Sequence, residues 1–317
     1  MRIGIVLPIA EEDGQSDIPS YPFIREMAVE AEAAGFDSVW VFDHLLFRFD
    51  GETTGIHECW TILSAVAEAT KRVELGTLVM CTGFRNAALL AKMAATLDHV
   101  SGGRLILGVG AGWHDPEYEA FGYPTDHKVG RFEESLAVIT SLIREGQATL
   151  DGRYVTARDA VLRPPARPDL PILVAAKGPR MLELTARHAD AWNLAWFGLP
   201  DERLARVRGE LAQACERVGR DPATLSITVG ITVRYPDLAT ATKDPAAAEP
   251  AAADAATEPE ASTSPALSGT PDEIAAGLAA HAAAGADHVI AALEPATPAT
   301  LAAFAQAVAR YRATATS

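Results

Sequence analysis

Asp43 and His44 follow directly on an apolar, aromatic-bearing run at residues 38–42. An imidazole titrates near pH 6.5, so a histidine at the rim of a fold can carry a proton at cellular pH. The alternative is a rim histidine hydrogen-bonded to Asp43 or to backbone. His57, His99, His127, His188, His281 and His288 fall mostly on helix or surface positions, where structural roles suffice, and His114 is the least clear of the remainder. A second group is rich in backbone: Gly108-Val-Gly110-Ala-Gly112, followed by Trp113. Glycines let a flat ligand or a phosphate close to the main chain. A third group, Lys177-Gly178-Pro179-Arg180, marks a helix start, where free N–H groups and basic side chains suit a phosphate, or where the basic residues are simply solvated. Trp113 and Trp196 either wall an apolar pocket or pack at the rim.

Other chemistries lack their residues. No His-x-His or His-Glu-x-x-His spacing is present to hold a metal, and no Gly-x-Ser-x-Gly elbow or Walker loop occurs. The ends of the apolar runs hold no paired acids of the kind that cleave glycosides. The glycine run reads Gly-x-Gly-x-Gly, lies a third of the way along and meets Pro116 soon after, which argues against a dinucleotide fingerprint.

The elements that must position these groups alternate regularly. Short apolar runs occupy residues 3–7, 38–42, 73–79, 104–109, 173–176, 191–195, 226–233 and 288–292. Helical periodicity occupies residues 23–34, 60–69, 87–97, 131–145, 181–188, 202–218, 271–284 and 299–310, the seventh opened by Thr270 as N-cap and Pro271 at N1. The runs are continuous rather than alternating, as parallel strands buried on both faces require. Eight such units predict an α/β fold, a (β/α)8 TIM barrel with insertions, and place its active site at the C-terminal ends of the strands.

Two segments stand outside the pattern. Residues 148–163 carry Asp151-Gly152 between strand-like runs, a hairpin signal. Residues 237–268 are rich in Ala, Pro, Glu and Thr, with no aromatic residue and six acids against Lys243. They read as a loosely held insertion within a single domain spanning 1–317. The chain has 27 Lys plus Arg and 42 Asp plus Glu, a formal charge of −15, which disfavours nucleic acid or an anionic membrane as partner. Cys59, Cys81 and Cys215 are odd in number and widely spaced, as in a reducing compartment. No stretch reads as a signal peptide or membrane helix, so a cytoplasmic location is expected.

The chain resembles the bacterial luciferase-like monooxygenase superfamily, and within it the oxidoreductases that use the deazaflavin coenzyme F-420. The matching stretches are Gly35-Phe-Asp-Ser-Val-Trp-Val-Phe-Asp43-His44, Val73-Glu-Leu-Gly-Thr-Leu78-Val79, Ala95 to Leu105, Gly108 to Trp113, Ala175-Ala176-Lys177-Gly178-Pro-Arg180-Met and Ala189-Asp-Ala-Trp192-Asn193. The resemblance implies a luciferase-like barrel in which Asp43 and His44 lie at the cofactor and His44 handles a proton. It implies a non-prolyl cis peptide at a bulge formed by Leu78 and Val79, set against the back of the ring. It also assigns Cys81, Ala111 and Gly112 to the ring and its chain, and Ala175, Ala176, Lys177 and Gly178 to the chain and phosphate. Trp113 stands where the sugar-phosphate dehydrogenases of the superfamily carry a catalytic Glu, so a general acid is missing there, and with Trp196 it suits an apolar organic substrate. Lys177 replaces a frequent Gly. The function implied is hydride transfer between coenzyme F-420 and a small organic molecule, in a chain that pairs as a homodimer through barrel helices near Trp60. The alternatives are an FMN-dependent monooxygenase and, in another class, a non-catalytic flavin-binding barrel.

Overall fold

The computed structural model describes residues 1–11, 18–239 and 265–315. Among them, eight parallel strands run β1 (Arg2–Val6), β2 (Ser38–Val41), β3 (Glu74–Thr77), β4 (Leu105–Gly110), β5 (Ile172–Ala175), β6 (Ala191–Phe197), β7 (Ser226–Arg234) and β8 (His288–Glu294). Each pairs with its neighbours in chain order, and β8 returns to β1 in the register His288↔Arg2, Val289↔Ile3, so the sheet closes. Helices α1 (Tyr21–Ala33), α2 (Cys59–Ala69), α3 (Ala87–Ser101), α4 (Asp115–Phe121), α5 (Lys128–Glu145), α6 (Pro179–His188), α7 (Glu202–Arg217), α8 (Pro271–Ala283) and α9 (Pro298–Ala315) are interleaved with the strands. The fold is the expected (β/α)8 TIM barrel. At α8 the Thr270 hydroxyl accepts the Glu273 N–H while the Glu273 carboxylate accepts the Thr270 N–H, so both ends of the capping box are made.

The strands carry apolar residues on both faces because both are covered. Outward-facing residues such as Ile3, Val39, Leu107 and Val174 join the helices in one large core. Inward-facing Val6, Trp40, Ile106, Leu173, Ala191 and Ile290 fill the barrel. Trp40 is the largest of these and is fully buried. Gly76 on the adjacent strand makes room for it: a Cβ there would lie 2.1 Å from the indole. Trp40 Nε1–H donates to Ser38 Oγ at 2.7 Å, and the same oxygen lies 2.8 Å from His288 Nε2.

Three local features depart from the sequence reading. The hairpin forms between Gln147–Asp151 and Thr156–Val161, but its turn is wider than Asp151-Gly152 suggested, because Asp151 pairs with Thr156. The Glu134 carboxylate on α5 holds that turn by accepting the N–H groups of Arg153, Tyr154 and Val155. A second hairpin, Leu46–Phe49 with Glu52–Gly55, and helix α4 were not anticipated. The expected insertion at 237–268 lies mostly outside the described residues, and its end is not loose. Leu267 is buried, bridges Val233, donates to Thr232 O and accepts from Arg234 N–H, both at 2.8 Å.

Burial holds His288 well below its ordinary 6.5, at about 3, so the folded ring stays neutral. Between those two values the unfolded chain binds a proton that the folded chain refuses, and stability falls as pH drops, by up to about 1.4 kcal/mol per pH unit. His288→Gln should flatten the dependence of unfolding free energy on pH between about 6.5 and 4, read from urea unfolding at stepped pH. An unchanged slope would contradict this assignment.

Candidate active site

The loops after β2, β3 and β4 converge on one another through Asp43 and His44. Asp43 is buried, and both its oxygens are engaged: Arg85 Nη1–H and Nη2–H donate to them at 2.6 and 3.1 Å, and the Cys81 N–H donates at 2.8 Å. Arg85 also donates to Glu58, whose carboxylate caps α2 by accepting the Trp60 and Thr61 N–H groups. Burial raises the Asp43 carboxyl, while Arg85 and the Cys81 amide pull it back. Asp43 thus ties the strand ends together beneath the mouth.

His44 turns the other way. Its Nδ1 lies 2.9 Å from Glu117 Oε1, and Glu117 Oε2 accepts the Leu45 N–H at 2.8 Å. Glu117 sits in the first turn of α4 and is only 1% exposed. Glu117, four residues after Trp113, is thus the carboxylate that meets the imidazole. Phe47 lies 4.4 Å from the His44 ring and Trp113 meets it edge-on at 5.5 Å. His114, the N-cap of α4, is buried, and its Nε2 accepts the Arg48 N–H at 2.9 Å. Burial lowers it from its usual range, as a ring acceptor at Nε2 requires.

The floor of the mouth is apolar. Gly76 pairs with Ile106 and Met80 with Val109, so three residues of one strand face two of the other and a bulge forms at Leu78 and Val79. Their peptide bond is cis, as the resemblance implied. Leu78 and Val79, with Phe42 and Ala292, are partly buried over the packed barrel interior.

Cys81 and Gly112 meet behind this floor. The Tyr118 hydroxyl donates to Ala111 O at 2.9 Å, which leaves the Cys81 thiol, 2.8 Å away, to donate to the Tyr118 oxygen. Burial pushes that thiol up to about 11, so it is protonated at neutral pH. Gly112 has φ +75°, and a Cβ there would lie 1.9 Å from the Tyr118 hydroxyl. Only glycine fits.

The other expected residues lie at strand ends on the same side of the barrel, and of these Trp113 meets the cluster, against His44. Ala175 ends β5, and the Ala176 carbonyl accepts Trp192 Nε1–H at 2.9 Å. Lys177 is exposed, and Gly178, at φ +82°, caps α6 with no side-chain partner for its first N–H groups. Arg180 pairs with Glu133. Trp196 is the penultimate residue of β6, is 38% exposed and lies against Gly230 of β7. Trp113, at 60% exposure, stands beside Phe47 and Phe49 with ring centroids 6.3 Å away in each case. Sequence reasoning passed over Arg85, Glu117, Tyr118, Phe47 and Phe49. The one available signal was Asp115-Pro116, a helix start that puts Glu117 in the first turn. Among the described residues no cluster of His, Cys, Asp or Glu could hold a metal ion.

Residues 1–248 match the luciferase-like monooxygenase family, and the chain belongs to that family. A phthiodiolone/phenolphthiodiolone dimycocerosates ketoreductase of Mycobacterium sp. (strain JLS) is 36% identical over 216 residues, covering 62% of this chain and 56% of the relative. An F-420-dependent glucose-6-phosphate dehydrogenase of Amycolatopsis mediterranei (strain U-32) is 33% identical over 236 residues, covering 71% and 67%. The chain thus spans 56% to 67% of the length of these relatives. A solved F-420-dependent secondary alcohol dehydrogenase, in complex with an F-420–acetone adduct, matches with a TM-score of 0.76 over 98% of each chain at 20% identity, a likeness of fold.

Removing Arg85 would strand a buried carboxylate. Arg85→Met is expected to cost about 3–5 kcal/mol of unfolding free energy, measured by urea denaturation. A loss below about 1 kcal/mol would mean that Asp43 does not need its counter-charge.

Proposed function

We propose that the protein is an oxidoreductase that transfers a hydride between coenzyme F-420 and a small uncharged organic substrate at the mouth of a single barrel domain spanning 1–317, with residues 237–268 inserted into it. The observation that carries this is His44, held on a buried carboxylate beside a layer of partly buried apolar side chains. The residues suit a tricyclic deazaflavin with a phosphate-bearing tail. Leu78, Val79, Phe42 and Ala292 offer a surface for the ring, and a Cβ at Gly178 would meet nothing within 4 Å, leaving space before the uncapped N–H groups of α6. As the resemblance implies, Ala111, Gly112, Ala175, Ala176 and Lys177 would complete the cofactor contacts, while Asp43 and Cys81, both buried and hydrogen-bonded, would support the site from behind. The bound coenzyme would supply or accept the hydride.

The chain's own residues do the rest. The Leu78–Val79 floor blocks one face, so substrate approaches from the other. His44 gives a proton to, or takes one from, the substrate oxygen. Trp113, with Phe47 and Phe49, and Trp196 at the end of the barrel present exposed apolar surface that favours an apolar body over a sugar phosphate. The ketoreductase and alcohol dehydrogenase named above point to the same carbonyl–alcohol chemistry.

Partners follow from the surface. Leu89, Met93, Leu97 and Val100 lie on one face of α3, with Leu89 and Val100 53% and 56% exposed, and Met93, Leu97 and Val100 line a groove with Trp60 and Ser64 of α2. That stripe supports a homodimer through α2 and α3. The formal charge of −15 disfavours nucleic acid. No described helix is long and apolar enough to cross a membrane. The three cysteines are free and buried, which suits a reducing, cytoplasmic setting.

Titration with F-420 and with FMN tests the cofactor. Binding of F-420 in the micromolar range is expected, and binding of FMN alone would overturn the reading. His44→Ala should retain the cofactor and lower turnover of apolar ketones about 10²–10⁴-fold. For the dimer, Val100→Glu should shift the sedimenting species to a monomer, whereas a wild-type monomer at micromolar concentration would exclude the interface.

A further inference from the structure

We infer that Glu117 is the positioning residue of this site: it fixes the tautomer and rotation of His44 and balances the charge on the imidazole when that ring holds a second proton. This rests on the role given to His44 above. Both Glu117 oxygens are committed to neighbouring groups on one segment, Oε1 to His44 Nδ1 and Oε2 to the Leu45 N–H. A carboxylate that holds a backbone amide and the next ring at once leaves that ring little freedom to turn. Phe47 at 4.4 Å and Trp113 at 5.5 Å close two further sides of the ring.

The chemistry follows from the donor inventory. An ionised carboxylate only accepts, so His44 Nδ1 carries the hydrogen. Nε2 makes no hydrogen bond among the described residues and is the nitrogen left for an incoming oxygen. With a proton on Nε2 as well, the ring is an imidazolium against a side chain that is 1% exposed, where little water screens the pair. When Nε2 passes that proton to a substrate oxygen, the ring returns to the neutral Nδ1–H form and Glu117 keeps its charge throughout. The other titratable side chains are Arg48, Asp50 and Glu52 on the adjoining hairpin, and His114, Asp115, Tyr118 and Glu119 on α4 and its N-cap. His114 accepts the Arg48 N–H at Nε2, and Asp43 is occupied by Arg85. None of these competes for His44 Nδ1.

The position also explains how the site works with Trp113 where a carboxylate would otherwise face the substrate. A charge behind the histidine leaves the substrate side of the mouth apolar. A charge across from it would not.

Three measurements test the inference. In the wild-type protein, ¹⁵N shifts of the neutral His44 ring should show the Nδ1–H tautomer, and the Nε2–H tautomer would overturn the proposal without any variant. Glu117→Gln should lower kcat for ketone reduction about 10–100-fold with KM within about threefold, and should move the alkaline limb of the pH profile, where the proton-donating ring is lost, to lower pH. Glu117→Asp, which keeps the charge, should restore that limb while recovering only part of kcat. The double-mutant cycle separates this role from a structural one: in a His44→Ala background, Glu117→Gln should cost nothing further in kcat. Equal losses in both backgrounds, or a loss of stability with the pH profile unmoved, would refute it. A His44→Ala variant with full turnover would instead remove the proposed function on which it stands.

Discussion

Two adjacent residues at the end of one strand are pulled in opposite directions, and the mouth of the barrel is organised by that division. Asp43 is drawn back to Arg85 and the Cys81 amide, both on the segment after β3. His44 is held by Glu117 on the helix after β4. A buried acid needs a cation, and the His44 ring meets a buried carboxylate, so three consecutive strand ends are tied together by polar contacts. The Cys81–Tyr118–Ala111 hydrogen bonds close the same circuit from behind.

Packing decides where that circuit can face a ligand. Trp40 occupies the barrel interior so fully that its neighbour strand must carry Gly76, and the layer above it is made of partly buried Leu78, Val79, Phe42 and Ala292. The interior is solid below that layer. The bulge between β3 and β4 sets Leu78 and Val79 into that floor.

Much of this was legible in the chain. All eight strands and the helices that follow them stand within a few residues of their apolar runs and helical periods, because a parallel strand covered on both faces has no polar side to confuse the signal. The C-terminal strand ends then pointed to Asp43, His44, Gly112, Trp113 and Gly178 through topology alone. Arg85 and Glu117 were hidden for a common reason. Each is an ordinary charged residue in a polar stretch, and its meaning lies in a partner 42 or 73 residues away. The Leu46–Gly55 hairpin was hidden differently, since strands of four residues with two exposed ends give almost no periodic signal.

The sequence by itself determined the barrel, the end of it that does chemistry, and the residue types available there. Those follow from local apolar patterning and from the order of strands and helices along the chain. Only the tertiary structure decided what each polar group is for: that Asp43 is a tie, that the thiol of Cys81 is a buried donor, and that the carboxylate serving His44 comes from position 117. The reason is that hydrogen bonds and ion pairs act over about 3 Å in space, whereas spacing along the chain reports only neighbours within a turn or a strand.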